Sequence, residues 1–282
     1  MPFLTSMDAD GLMSPDGDQA LGAALRAQYD DAKPFPHIVI DDFLPPEVLE
    51  MCLRDFPSIS VGSDTFNRAQ EKLKTQFNPD YLQKNLRSLF YSFNSRPFIK
   101  VLENICGIRG LTPDPYFLGA GFHETRNTGY LSIHADFNHH KPMNLERRIN
   151  VLIYLNKDWK PEYGGQLELW NDDVSECVTS VLPVFNRCVI FNTTSRSWHG
   201  NPNPVNHPAD DTRKSIALYY YTATWSDTGR EHTTQFRVRK GSEDKVDWLV
   251  RSRELAKDLL PPLVQRNISR IRQKGRLPDA AE

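Results

Sequence analysis

Three residues with metal-ligating donor atoms stand out: His134, Asp136 and His199. In a strand, residues i and i+2 point to the same face. The triplet His134-Ala135-Asp136 at a strand end therefore offers an imidazole and a carboxylate on one side, as two neighbouring metal ligands require. With eight His and 23 Asp in 282 residues, the triplet alone is close to chance expectation. Its context gives it weight. His199, in SRSWHGNP, follows the β-rich run RCVIFNT and lies 63 residues beyond Asp136. Two imidazoles and one carboxylate on one side of an ion leave three positions open, the donor set of non-haem Fe(II) centres. Arg213 then opens the run RKSIALYYY, 14 residues beyond His199. A guanidinium there suits bidentate contact with a carboxylate. Lys214, its neighbour, competes with it for that role.

These residues need a rigid frame, and the pattern from about residue 115 supplies one. Short β-rich runs separated by turn residues follow one another: 116–124, 128–136, 148–156, 165–170, 180–185, 187–193 and 214–222. Such spacing indicates a sandwich or barrel. Ahead of this block, HIVI (37–40) reads as a strand. Pro45 and Pro46 suit a helix start, and Val48, Leu49, Cys52 and Leu53 recur at helical spacing. Residues 78–107 read as two further helices that meet near Pro97. TTQFRVR (233–239) reads as one more strand, and 243–275 as two helices broken at Pro261-Pro262.

The expected layout is therefore an acidic, partly disordered leader (1–33), with a short helix over 18–29, then a domain over 34–225. That domain has N-terminal helices over 44–107 and a β-rich core over 115–225. A C-terminal helical extension (226–282) follows. The fold class is α+β, with a sandwich or jelly-roll core buttressed by flanking helices. Polar stretches at 58–80 and 137–147 are the expected lid over a site.

Composition excludes several classes. Lys+Arg is 34 and Asp+Glu 36, for a net charge of -2, which argues against a general nucleic-acid or polybasic membrane binder. No apolar run approaches a membrane span, and the first residues lack the basic and apolar regions of a secretory signal. The four cysteines form no CxxC pair and read as reduced, mostly buried thiols of a cytoplasmic protein.

The ordered set NTGYLSIHADFN (127–138), INVLIYLNKDW (149–159), GGQLELW (164–170), VLPVFNRCVIFNT (181–193), WHGNP (198–202) and RKSIALYYY (213–221) resembles the catalytic domain of Fe(II)- and 2-oxoglutarate-dependent dioxygenases, in particular the prolyl 4-hydroxylase-like branch. PFPHIVIDDFL (34–44) resembles the opening strand of bacterial members. The resemblance implies a double-stranded β-helix, or jelly-roll, core. It implies Fe(II) held by His134, Asp136 and His199, with 2-oxoglutarate and O2 as cosubstrates and ascorbate as a reductant. It assigns the distal carboxylate of 2-oxoglutarate to Arg213 and Tyr154, and puts His123 on the strand where prolyl hydroxylases place a cofactor-facing tyrosine. Two departures accompany it. The loop NPNPVNHPADD lengthens the interval between His199 and the basic residue. The Tyr130-to-His134 interval is also one residue longer, which a local bulge would absorb.

The implied reaction is hydroxylation of an unactivated C–H bond, with a prolyl residue of a protein or peptide as the favoured substrate. A free amino acid, lipid or glycan intermediate is the alternative. Two other classes share the ligands: a catalytically silent jelly-roll binding module and a cupin-like zinc hydrolase, the latter with no use for Arg213. His139 and His140 are expected on a solvated loop, and Trp198 as packing beside the metal.

Overall fold

Two adjacent strands, Leu145–Tyr154 and Arg213–Thr222, show how the chain makes a frame with two buried faces. Ile149, Val151 and Ile153 alternate with Asn150, Leu152 and Tyr154. Across the ladder, Ile216, Leu218 and Tyr220 alternate with Ser215 and Tyr219. The aliphatic set joins the main core with the helices. Asn150, Leu152, Ser215 and Tyr219 line an internal cavity instead.

The computed structural model describes residues 1–15, 20–59, 62–224, 231–242 and 244. Its strands are β1 (His37–Ile40), β2 (Ser63–Arg68), β3 (Glu71–Phe77), β4 (Thr112–Pro113), β5 (Gly121–Ala135), β6 (His139–His140), β7 (Leu145–Tyr154), β8 (Leu167–Trp170), β9 (Cys177–Val181), β10 (Cys188–Asn192), β11 (His199–Asn201), β12 (Arg213–Thr222) and β13 (Gln235–Phe236). The helices are α1 (Arg26–Asp31), α2 (Pro46–Arg54), α3 (Lys84–Phe93) and α4 (Arg96–Cys106). The antiparallel order is β1-β10-β7-β12-β5-β11-β8-β9, with β3 pairing β5 as well. The first half of β5 pairs β12 and its second half pairs β11, so one long strand serves both layers. This is the expected α+β jelly roll, a double-stranded β-helix buttressed by helices.

The helices cover the outer face with Leu86, Leu89, Phe90 and Phe93 from α3 and Phe98, Val101, Leu102 and Ile105 from α4. Pro97 sits in the first turn of α4, where its missing N–H costs nothing. The helix ends at Gly107, whose positive φ of 63° is the left-handed cap that glycine adopts without strain.

Four expectations change. First, the segment 44–107 is not all helix: β2 and β3 form a hairpin inside it and continue the sheet along β5. Its DTFNR and EKLKTQF sequences alternate with too few apolar residues to register as strands. Second, the two runs 116–124 and 128–136 are one strand from Gly121, interrupted by register shifts rather than by a turn. Third, the leader is packed. Leu4, Met7 and Tyr29 are buried, and Phe3 stacks on Phe43 at 5.7 Å, because apolar residues are interleaved among its acids. Its helix is shorter than expected, over Arg26–Asp31. Fourth, the compact unit runs Met1–Asp244, past the expected boundary at 225, because β13 pairs with β5. The expected helices over 243–275 lie outside the described residues, apart from Asp244.

Asn186 ties the helical layer to the strands. It is buried, at a φ of 60° that asparagine tolerates; its Oδ1 accepts from Leu44 N at 2.9 Å and its Nδ2 donates to Leu44 O at 2.8 Å. Asn186→Ala leaves both Leu44 groups unpaired and is expected to cost about 2 kcal/mol in urea unfolding, with an unchanged m-value. A loss below about 0.5 kcal/mol would show that the tie carries no stability.

Candidate metal centre

His134 lies at the end of β5, Asp136 just beyond it, and His199 opens β11. A bulge brings them together. In the β5–β11 pairing His199 faces His134, but Asn201 faces Leu131, so β5 carries one extra residue opposite Gly200. This lies within the long Tyr130-to-His134 interval and absorbs it. Gly200 is required here, because a Cβ would meet Leu131 O and Ser132 O, each at 2.8 Å. Ile133 and Ala135 point the other way, into a cluster with Val174 and Trp198, as strand alternation demands.

The imidazoles are oriented by their backbones. His134 Nδ1 donates to Ser132 O at 2.9 Å and His199 Nδ1 donates to Ser197 O at 2.8 Å. Each Nε2 lone pair is thereby freed to ligate. His134 Nε2 is 3.5 Å from Asp136 Oδ1, and His199 Nε2 is 3.4 Å from Asp136 Oδ2. The ligating atoms of the three residues lie within 4.8 Å of one another, a group that could hold a metal ion. Burial, with His134 beside it, outweighs the Asp136 charge and lowers the His199 pKa to about 4. Burial would raise the Asp136 carboxyl, but Arg147 and the two imidazoles outweigh it and hold the group well below the usual range. At neutral pH Asp136 is ionised and His199 neutral, the states a cation needs.

The same cavity extends to Arg213, His123, Thr125, Ser215 and Asn201. Arg213 is buried, its Nε donates to Gly165 O at 2.7 Å, and its guanidinium lies 5.0 Å over the Tyr154 ring. Burial lowers its pKa. Lys214 points out of the cavity instead, with Nζ bonded to Asp211 Oδ1 at 2.7 Å. The Tyr154 hydroxyl and Asn201 Nδ2 are buried without a hydrogen bond of proper geometry. His123 donates from Nε2 to Gly119 O at 3.0 Å, and burial holds its pKa well below the ordinary value, so the ring is neutral.

The structure thus brings five of the six candidate residues to one cavity; Tyr154 lies beneath Arg213 and packs with Leu167, Leu169 and Phe191 rather than lining it. Sequence reading missed others. Arg147 and Asn150 both contact Asp136, at 3.0 and 2.7 Å. Thr234 and Phe236 also line the cavity, with Phe236 5.5 Å from the His134 ring. Of the expected lid segments, Phe66, Arg68, Glu71, Lys74 and Gln76 line the cavity from the hairpin, and Phe137 and Arg147 from the second stretch. His140 is not on a solvated loop: it is fully buried, with Nε2 3.0 Å from Asp114 Oδ1.

Because His199 in the folded, metal-free protein titrates near 4 rather than at the ordinary 6.5, the unfolded chain binds a proton first as pH falls. Stability contributed by this group is present above about 6.5 and lost toward 4. The wild-type protein without metal is expected to lose more Tm than His199→Gln over that interval. Parallel Tm curves for the two proteins would contradict this electrostatic account.

A family model described as the 2OG-Fe(II) oxygenase superfamily matches residues 120–221. No curated protein matches the chain. Among solved structures, a Pseudomonas putida prolyl-4-hydroxylase is 17% identical and covers 71% of this chain and 98% of its own, with a TM-score of 0.48. A Trichoplax adhaerens prolyl hydroxylase, in complex with a hypoxia inducible factor oxygen degradation domain peptide fragment, is 16% identical, covers 72% and 90%, and has a TM-score of 0.50. HygX from Streptomyces hygroscopicus, with nickel and 2-oxoglutarate bound, is 10% identical and covers 71% and 87%, with a TM-score of 0.46. Residues 120–221 are thus similar to the 2OG-Fe(II) oxygenase superfamily, and the fold is similar to that of the Trichoplax prolyl hydroxylase.

Proposed function

We propose that this enzyme hydroxylates an unactivated C–H bond of a prolyl residue in a protein or peptide, with His134, Asp136 and His199 holding Fe(II) and Arg213 and Tyr154 receiving 2-oxoglutarate. The observation that carries the reading is one cavity with two unlike ends: three converging donors at one, and at the other a buried guanidinium with no carboxylate partner among the described residues.

The residues fit the cosubstrate. A buried cation with no carboxylate partner among the described residues, next to a hydroxyl and an amide N–H₂ that lack acceptors, is an arrangement that a dicarboxylate would complete. Iron with 2-oxoglutarate and O2, when bound, supplies oxidation of the C–H bond with release of succinate and CO2. The chain supplies orientation. Arg213, anchored through Nε on Gly165 O, keeps its terminal nitrogens for a carboxylate. Leu152 and Leu167 give the cavity apolar lining, and residues of the β2–β3 hairpin and Phe236 line it as well. His123, neutral and tied to Gly119 O, completes the polar lining without adding charge.

A peptide substrate is supported by the Trichoplax relative of the same fold, which is in complex with a peptide. Phe66 and Phe236, aromatic residues of the cavity lining, also suit a pyrrolidine ring. A free amino acid, lipid or glycan intermediate is the alternative substrate for the same chemistry. The proposal includes ascorbate as a reductant and a cytoplasmic location, the latter resting on the reduced-thiol reading of the four cysteines. No helix among the described residues is long and apolar enough to cross a membrane.

The test is succinate release from 2-oxoglutarate, with Fe(II) and ascorbate, across a panel of prolyl peptides. Arg213→Ala is expected to raise KM for 2-oxoglutarate by about 10- to 100-fold, and Tyr154→Phe by less than about tenfold. Lys214→Ala is expected to leave it unchanged. An increase in Lys214→Ala and none in Arg213→Ala would overturn the assignment. Succinate release that no prolyl peptide stimulates, but a small-molecule acceptor does, would replace the peptide substrate.

A further inference from the structure

The Asp136 carboxylate is gripped by two residues that the proposed reaction leaves without a role. Arg147 and Asn150 stand three apart on β7, where simple alternation puts them on opposite faces. The ladder shows why they share one: Tyr219 faces Asn150 and Tyr220 faces Ile149, but Tyr221 faces Arg147, so Arg148 is an extra residue in a bulge. The guanidinium is 2% exposed. Its Nε and Nη2 donate to Asn150 Oδ1 at 3.1 and 2.6 Å, and its plane packs on the rings of Tyr219 and Phe137, 3.5 and 4.5 Å from their centroids. Such stacking and forked bonding hold a buried cation in one orientation.

The two oxygens of Asp136 are treated differently. Oδ2 faces Arg147 Nη2 at 3.0 Å, accepts from Asn150 Nδ2 at 2.7 Å and lies 3.4 Å from His199 Nε2. Oδ1 faces only the His134 Nε2 at 3.5 Å. We propose that Arg147 and Asn150 are positioning residues that occupy Oδ2, so that Asp136 meets a metal through Oδ1 alone and leaves the neighbouring position open for 2-oxoglutarate. This rests on the reading of His134, Asp136 and His199 as the metal site. A carboxylate released from this grip turns and offers its second oxygen to the ion, in competition with the incoming chelator.

The full-length protein saturated with Mn(II), a redox-inert stand-in for Fe(II), provides the test. 2-Oxoglutarate is titrated into it by calorimetry, with thermal unfolding in parallel. Arg147→Gln and Asn150→Ala are expected to bind 2-oxoglutarate about tenfold more weakly or worse at saturating Mn(II). Asn150→Ala is the smaller change and decides the matter if Arg147→Gln does not fold. Arg147→Lys keeps the charge without the fork and is expected to behave like Arg147→Gln. Wild-type protein that binds neither Mn(II) nor 2-oxoglutarate overturns the metal reading and the inference with it. Wild-type protein that binds both, with folded variants within about twofold of it or with Arg147→Lys equal to it, overturns the positioning role alone.

Discussion

A carboxylate deep inside a jelly roll is the constraint that the rest of the molecule answers. Burial would drive a proton onto Asp136, and a protonated group is a poor ligand. The structure keeps it ionised by surrounding it with a buried guanidinium, an amide and two imidazoles. Each of those groups needs its own restraint. The imidazoles are held by backbone carbonyls two residues earlier, and the guanidinium by an amide oxygen and two aromatic rings. The other face of β7, which carries the guanidinium and the amide, joins the main hydrophobic core, while Ile133 and Ala135 beside His134 pack in a smaller cluster with Val174 and Trp198.

The second charge in the cavity is handled in the opposite way. Arg213 is buried, bonded to a carbonyl and set over Tyr154, with no carboxylate partner among the described residues. Nothing among the described residues neutralises it, and burial lowers its pKa. Fully compensated at the donor end and uncompensated at the other, the cavity is matched to a ligand that brings negative charge to Arg213 and donor atoms to an ion.

Much of this was legible in the sequence because strand alternation is a strict rule. His134 and Asp136 share a face, and the order of β-rich runs placed His199 and Arg213 nearby. The β-rich core and the outer helices were also legible, through apolar residues at periods of two and 3.6. What escaped detection depends on breaks in those periods. Arg147 and Asn150 meet only because of a bulge at Arg148, and His134 meets His199 through another opposite Gly200. The β2–β3 hairpin has the polar alternation of a lid rather than the apolar alternation of a core strand. Phe236 reaches the cavity through pairing of β13 to β5, more than 90 residues away in sequence, which no local pattern encodes. The packed leader was masked by its acids, since Phe3, Leu4 and Met7 are too few to form a periodic stripe.

The most direct measurement is anaerobic absorption of the purified protein loaded with Fe(II), before and after addition of 2-oxoglutarate, beside His134→Ala and Arg213→Ala. The account predicts a visible metal-to-ligand charge-transfer band in the wild-type protein, absent from His134→Ala and weakened in Arg213→Ala at equal 2-oxoglutarate. A folded wild-type protein that holds iron by metal analysis and develops no band would contradict it.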